Sequence, residues 1–274
     1  MDAGRDWKKK NGAAGAAFEQ SLREARERRE AEMEPETAEL AAYRLARRRE
    51  FEERARRRPF SIRGWLEYAR WEESQNDYDR ARNVWARAFE VSMSMMDHTV
   101  WIEYAEFEMK NISVDSGRLA WLQAVSCVPD VDELWHKSIE MEEKLGNIAG
   151  ARKVLDRWIN RLPRAGEQAW LSYIEFELRY NEIERARSMY NAFVFHHPKA
   201  SAFIRYACFE MKCGEVERAR NVYQRATEKL ALVANSALAS EAAKEDAALL
   251  SLAFAEFEHR ATCIHDFANL QVCE

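Results

Sequence analysis

Glycine and proline are scarce in this chain: 274 residues contain 9 Gly and 5 Pro, while 32% are charged and 47% hydrophobic. So few chain breakers leave little room for the turns of a many-stranded sheet, and the balance suits long amphipathic helices with short loops. A continuous run of about 18 uncharged apolar residues is missing, so no transmembrane helix is expected. The start, Met1-Asp2-Ala3-Gly4-Arg5-Asp6, lacks the apolar stretch of a secretory signal, and a soluble intracellular protein is the expectation. The five cysteines (Cys127, Cys208, Cys213, Cys263, Cys273) show no C-x-x-C spacing, so reduced thiols are expected rather than a disulfide framework or metal site. Neither G-x-x-x-x-G-K, G-x-S-x-G nor a metal-ligand signature is present. The sequence therefore predicts no enzyme, no cofactor and no small-molecule substrate.

The net charge of −5 conceals an asymmetry, because residues 1–60 carry 16 Lys/Arg against 13 Asp/Glu and the remainder is acidic. Acidic surfaces bind phosphate backbones poorly. One basic block stands out just before the first repeat described below: Arg44, Arg47, Arg48, Arg49, Arg54, Arg56, Arg57 and Arg58, with three Glu among them. It reads either as a solvated helix face or as a contact for an anionic partner, with a nuclear-localisation signal as an overlapping role. Farther upstream, Lys8-Lys9-Lys10-Asn11-Gly12 reads as a flexible basic start, and Phe18 to Met33 as a highly charged segment that is helical at least in a complex.

Internal repetition dominates the rest. An octapeptide recurs six times, as WLEYARWE from Trp65, WIEYAEFE from Trp101, WHKSIEME from Trp135, WLSYIEFE from Trp170, FIRYACFE from Phe203 and SLAFAEFE from Ser251. Their starts lie 36, 34, 35, 33 and 48 residues apart. A period near 34 residues signals a solenoid, in which each unit buries its apolar face only against its neighbours. A second element follows: Ala81-Arg82-Asn83-Val84-Trp85, Ala151-Arg152-Lys153-Val154-Leu155, Ala186-Arg187-Ser188-Met189-Tyr190 and Ala219-Arg220-Asn221-Val222-Tyr223, with a degenerate Gly117-Arg118-Leu119-Ala120-Trp121 in the second repeat. Asn76-Asp77, Gly146-Asn147, Asn181 and Cys213-Gly214 separate the two elements as tight turns. Pro59, Pro129, Pro163 and Pro198 precede the next aromatic start and mark the loops between repeats. The stretch Ala231 to Ala248 should lengthen the flanking helices around an interruption near Asn235-Ser236.

Projected at 100° per residue, helix A places Trp65, Tyr68, Ala69 and Trp71 on one broad face with Glu72 near its middle. The same register holds for Trp101, Tyr104 and Glu108, for Trp135 and Glu142, for Trp170, Tyr173 and Glu177, and for Phe203, Tyr206 and Glu210. These aromatics read as repeat core and not as a base-stacking platform. A carboxylate on such a face needs a partner, and the recurring Arg of helix B (Arg82, Arg152, Arg187, Arg220) is the obvious one. The expected ion pair is intra-repeat, as Glu177 with Arg187, or between adjacent repeats. His196-His197-Pro198 is expected in a loop between repeats.

An aromatic-x-x-Tyr-Ala-x-aromatic-Glu helix followed by Ala-Arg-x-x-aromatic resembles the HAT (half-a-tetratricopeptide) repeat family more than ordinary tetratricopeptides. Within it, NVWARAFEVS, WIEYAEFEMKN, MEEKLGNIAGARKVLDRWI, QAWLSYIEFELRYNEIERARSMYNAFV and FIRYACFEMKCGEVERARNVY resemble the crooked neck-like pre-mRNA splicing factors, as does Leu22 to Arg28. The resemblance implies an all-α, right-handed superhelical solenoid of HAT helix-turn-helix repeats. It implies a nuclear scaffold whose partners are spliceosomal proteins of the Nineteen Complex and snRNP components; the charge of the Arg block leaves open a direct contact to snRNA or pre-mRNA phosphates, a contact to an acidic partner, or a solvated face. The rival is a tetratricopeptide-like co-chaperone gripping peptide C-termini. That function needs Lys and Arg facing inward from successive A helices, where this chain has Leu66-Glu67, Ile102-Glu103, His136-Lys137 and Leu171-Ser172.

The domains expected are a charged extension over 1–60, a repeat array over 61–260 with five complete hairpins and a sixth A helix, and a divergent tail over 261–274. The tail, lacking an Ala-Arg element, reads as a truncated or alternatively spliced end. Leu252, Phe254 and Phe257 of the sixth A helix are expected to be partly open.

Overall fold

The structure, a computed structural model, describes the backbone of residues 3–31, 37–95, 97–161, 166–234 and 240–271; the side chains of residues 3–13, 30, 94–95, 233 and 261–271 fall outside it. The described residues form helices and no strand: α1 Ala3–Ala31, α2 Ala38–Arg57, α3 Ile62–Ser74, α4 Tyr78–Met95, α5 Thr99–Asn111, α6 Val114–Cys127, α7 Asp132–Lys144, α8 Ile148–Ile159, α9 Glu167–Arg179, α10 Ile183–His196, α11 Ala200–Lys212, α12 Val216–Ala234 and α13 Glu241–Gln271. The chain divides into two compact units, Met1–Pro163 and Arg164–Glu274, a division that the repeat spacing does not reveal. The first holds the hairpins α3/α4, α5/α6 and α7/α8; the second holds α9/α10, α11/α12 and the single helix α13. The described residues thus hold five helix hairpins and the single helix α13. Pro163 and Asn235-Ser236 lie outside the described residues, though α12 and α13 flank the latter as expected.

Each A-to-B turn is built by one device. Asn76, Gly146, Asn181 and Gly214 adopt φ of 57°, 67°, 53° and 81°, the left-handed region that ends a helix. The amide of the following residue then turns back to the carbonyl of the recurring glutamate. Asp77 N donates to Glu72 O at 3.2 Å, and Asn147 N to Glu142 O, Glu182 N to Glu177 O and Glu215 N to Glu210 O each at 2.9 Å. Repeat two reaches the same bond, Ser113 N to Glu108 O at 3.1 Å, through Ile112 at φ −109°. Its degenerate Gly117 also has a steric cause: a Cβ there would stand 2.7 Å from Met109 Cβ, so α6 lies too close to α5 for the alanine that other repeats use.

Two of the prolines between repeats, Pro59 and Pro129, share one contact. Trp65 Nε1 donates to Pro59 O at 2.9 Å and Trp135 Nε1 to Pro129 O at 3.0 Å, so the loop carbonyl is satisfied by the next helix's first aromatic. Trp101, which no proline precedes, leaves its buried Nε1 without an acceptor.

Three expectations need correction. The boundary at residue 60 falls inside a packed unit, because α2 lies against α3 with Phe51 buried in the same cluster as Trp65, Tyr68 and Trp85. Lys8 to Gly12 is part of helix α1, not a flexible start. Helix α1 packs on α5 and α7, where Gly15 sits so close to the Leu145 carbonyl that a Cβ would come within 2.0 Å of it. Arg26 and Arg29 donate to the carbonyls at the end of α5, Arg26 to Met109 O at 2.5 Å and Lys110 O at 3.0 Å, Arg29 to Lys110 O at 3.2 Å. Finally, the boundary at residue 261 falls inside α13, which runs to Gln271; its apolar face is partly open as expected, with Phe257 buried and Phe254 half-buried against Tyr223 while Leu249 and Leu252 are exposed.

The turn geometry makes a prediction. Replacing Asn181 by Gly, which enters the left-handed region freely, should leave stability within about 1 kcal/mol of the parent. Asn181→Val should cost about 1–2 kcal/mol in urea unfolding. Equal midpoints for the two variants would contradict a left-handed residue at this turn.

Candidate functional site

Among the described residues the recurring Arg and Glu meet between repeats within each unit, helix B reaching forward to the next helix A. Arg82 Nε and Nη2 donate to Glu108 Oε1 and Oε2, both at 2.6 Å. Arg118, the arginine of the degenerate element, does the same to Glu142 at 2.9 and 3.2 Å. In the second unit Arg187 Nε lies 3.0 and 3.1 Å from the two Glu210 oxygens, and Arg220 closes on Glu258 at 2.7 and 3.0 Å. The pair expected as Glu177 with Arg187 is therefore corrected to Arg187 with Glu210. The cause is geometric: the helix B arginine sits on the face that meets the following repeat. An acidic residue three positions earlier, Asp115, Glu184 or Glu217, holds the remaining Nη1 of Arg118, Arg187 and Arg220.

These carboxylates are removed from water. Glu72 and Glu177 are 0% exposed, Glu210 1%, Glu108 2% and Glu142 6%. The aromatics around them are buried as expected, namely Trp65, Tyr68, Trp101, Trp135, Trp170, Tyr173, Phe203 and Tyr206, with Tyr104 half-buried. Arg152, like the other helix B arginines, is half-buried. One turn beyond Arg82, Arg187 and Arg220 the helix B aromatic packs on the next helix A: Trp85 lies tilted against Tyr104 and Phe107, Tyr190 stacks on Tyr206 and Phe209, and Tyr223 stacks on Phe254 and lies tilted against Phe257. Burial raises the Tyr68, Tyr104 and Tyr223 hydroxyls to about 12, so all stay neutral. His196 stacks on Trp170 with centroids 5.2 Å apart, which makes it a packing residue at the end of α10.

The Arg block splits into two kinds of residue, and the split is invisible without the fold. Arg48 Nε and Nη2 each lie 2.8 Å from the Glu72 oxygens, with Nη2 also 3.0 Å from Asp77 Oδ2. Phe51, three residues on, stacks on Tyr68 at 4.8 Å and packs on Trp71. Helix α2 is thus a further helix B, and Arg48-x-x-Phe51 is the spacing that marks it; Arg47 stands where the other repeats have Ala or Gly. Hydrogen bonding to Glu72 raises the Arg48 pKa, with burial opposing it. Arg44 reaches Gln75, Arg47 pairs with Glu50, and Arg57 with Glu53 at 2.6 Å. Arg49, Arg54, Arg56, Arg57 and Arg58 remain exposed. No group of three or more His, Cys, Asp or Glu among the described residues could hold a metal ion.

Two measurements follow. Arg187 is 11% exposed and Glu210 1% at the side chain, so Arg187→Ala or Glu210→Ala alone should cost about 2–4 kcal/mol by stranding the other charge. The double variant should cost clearly less than the sum, and additive urea midpoints would refute the pair. Acid provides the second test. Hydrogen bonding to Arg87 lowers the Glu52 pKa and hydrogen bonding to Arg220 lowers that of Glu258. A depressed folded pKa stabilises above the unfolded value of about 4.3 and is lost as pH falls through the folded one. The melting temperature should hold down to about pH 5 and fall below about pH 4, with Glu258→Gln flattening part of the fall.

Residues 47–199 match the family described as "Pre-mRNA-splicing factor Syf1/CNRKL1 N-terminal HAT repeat". The pre-mRNA-splicing factor clf-1 of Neurospora crassa is 42% identical over 151 residues, which is 53% of this chain and 21% of that protein. Crooked neck-like protein 1 of Homo sapiens is 45% identical over 81 residues, 27% of this chain and 9% of that protein. The matched stretch thus spans about a fifth or less of these relatives. Among solved structures, yeast Tom70 aligns with a TM-score of 0.36 and 13% identity over 83% of this chain and 45% of that one. With the match beginning at Arg47, one residue before the first inter-repeat arginine, and running through four A helices, this chain belongs to the Syf1/CNRKL1 N-terminal HAT-repeat family of pre-mRNA-splicing factors.

Proposed function

We propose that the chain serves pre-mRNA splicing as a non-catalytic nuclear scaffold, holding spliceosomal proteins of the Nineteen Complex and snRNP components on its helix surfaces. The observation that carries this reading is the family match over residues 47–199. The chemistry is consistent with it. The repeating polar machinery, Arg48–Glu72, Arg82–Glu108, Arg118–Glu142, Arg187–Glu210 and Arg220–Glu258, is spent on holding neighbouring helices. A buried carboxylate saturated by a guanidinium is a poor general acid or base. What faces solvent is a surface rather than a reaction centre.

The peptide-clamp reading is disfavoured by the A-helix surfaces. Arg70 pairs with Glu103 and Lys110 with Glu73 across α3 and α5, and in the second unit Lys199 pairs with Glu167, so the cations there are neutralised by their neighbours. The Arg block is the proposed contact for an anionic partner, RNA included. Arg48 must be left intact in a test, since its loss would strand Glu72. Reversing Arg49, Arg56 and Arg58 to Glu should reduce recovery of splicing proteins and snRNA in affinity purification from nuclear extract, with circular dichroism unchanged. Undiminished recovery would return the block to a solvated helix face.

A further inference from the structure

The end of α2 and the start of α3 form a corner unlike the rest of the surface. A cavity of about 510 Å³ opens there, lined by Arg54, Arg57, Arg58 and Arg63 over Gly64 and Trp65, with Glu67 on its wall. Five arginines crowd the corner, counting Arg56, against Glu53 and Glu67. Arg54 and Arg63 share the single carboxylate of Glu67, at 3.7 and 3.0 Å, and Arg58 makes no ion pair with a described residue. All of these side chains are solvent-exposed, so the existing pairs are weak and exchangeable for a phosphate that fits the guanidinium fork better. The loop between the helices is Arg58-Pro59-Phe60-Ser61, and Phe60 is 66% exposed.

An exposed phenyl ring held by a proline turn is not explained by packing, since the helix aromatics nearby, Phe51 and Trp65, are buried. An exposed ring two residues after Arg58 and three before Arg63 in the chain offers the pairing that receives single-stranded nucleic acid: a base stacks on the ring while its phosphates reach the neighbouring cations. Duplex RNA has no unstacked base to offer, and an acidic peptide would have no use for the ring. We propose that this corner binds single-stranded RNA, one base stacking on Phe60 and the flanking phosphates engaging Arg57, Arg58 and Arg63. The inference rests on the reading of the Arg block as a contact surface and adds the class of ligand and the stacking residue.

Fluorescence anisotropy of the full chain with a short labelled oligouridine tests it. Phe60→Ala should weaken binding about 5- to 150-fold, the loss expected for one base stack, while Phe60→Tyr should retain it within about twofold. Arg58→Ala and Arg63→Ala should each reduce the salt dependence by about 0.7 in the logarithmic slope. A duplex RNA of equal length should be indifferent to Phe60→Ala. Unchanged oligouridine affinity in Phe60→Ala would overturn the stacking site, and if the Arg variants still weakened RNA binding, the Arg block would stand as a phosphate contact alone. Absence of oligouridine binding at low salt, together with Arg-dependent binding of a polyglutamate peptide, would also overturn the inference and assign the corner to an acidic protein.

Discussion

A carboxylate without water governs this structure. In each of the five hairpins the last turn of helix A carries a glutamate that is almost fully buried, at the end of the helix where the macrodipole is already negative. Such a group is stable only if a cation reaches it, and within each unit the observed cation comes from the preceding helix B. The same residue's backbone carbonyl accepts the bond that closes the turn into helix B. One position therefore links the hairpin to the interface. A repeat that lost its predecessor would expose its aromatics and strand its charge together, so the pairs set the register in which neighbouring repeats stack.

The first unit shows how the device is supplied where the repeat pattern begins. Glu72 receives Arg48 from α2, and Phe51 gives Tyr68 and Trp71 the aromatic neighbour that Trp85 gives to Tyr104 and Phe107. Where repeat two lacks a left-handed residue at its turn, Arg26 and Arg29 of α1 bond to the carbonyls at the end of α5. Cations at a helix C-terminus satisfy orphan acceptors and complement the dipole. The charged N-terminal segment is thus partly structural, and its arginines divide between those that hold the stack and those that face solvent.

That division matters for the proposed scaffold role. Buried arginines contribute to every repeat and carry no information about partners. At the α2–α3 corner Arg54, Arg57, Arg58 and Arg63 line one cavity, on a chain whose residues after 60 are net acidic. A concentration of cations beside an acidic surface orients an anionic ligand, because repulsion elsewhere disfavours other docking places.

The sequence by itself determined the helices, the period and the turns. Trp65, Tyr68 and Glu72 announce helix A because periodicity is a local property, and Asn181 and Gly214 mark its end because left-handed backbone selects for them locally. It also determined that Glu210 needs a cation, since burial can be read from its place on an apolar face. Which arginine answers was decided by the tertiary structure: Arg187 pairs with Glu210 and not Glu177, because the partner depends on which face of helix B meets which neighbour. Among eight arginines of similar chemistry, only packing separates Arg48, locked on Glu72, from Arg58, open to solvent. The Arg48-x-x-Phe51 spacing was there to be found, but without the small residue at Arg47 it resembles any charged helix until α2 is seen lying on α3. Phe60 is an ordinary loop aromatic in the sequence, and only the fold shows its ring exposed in the loop between two helices whose arginines line one cavity.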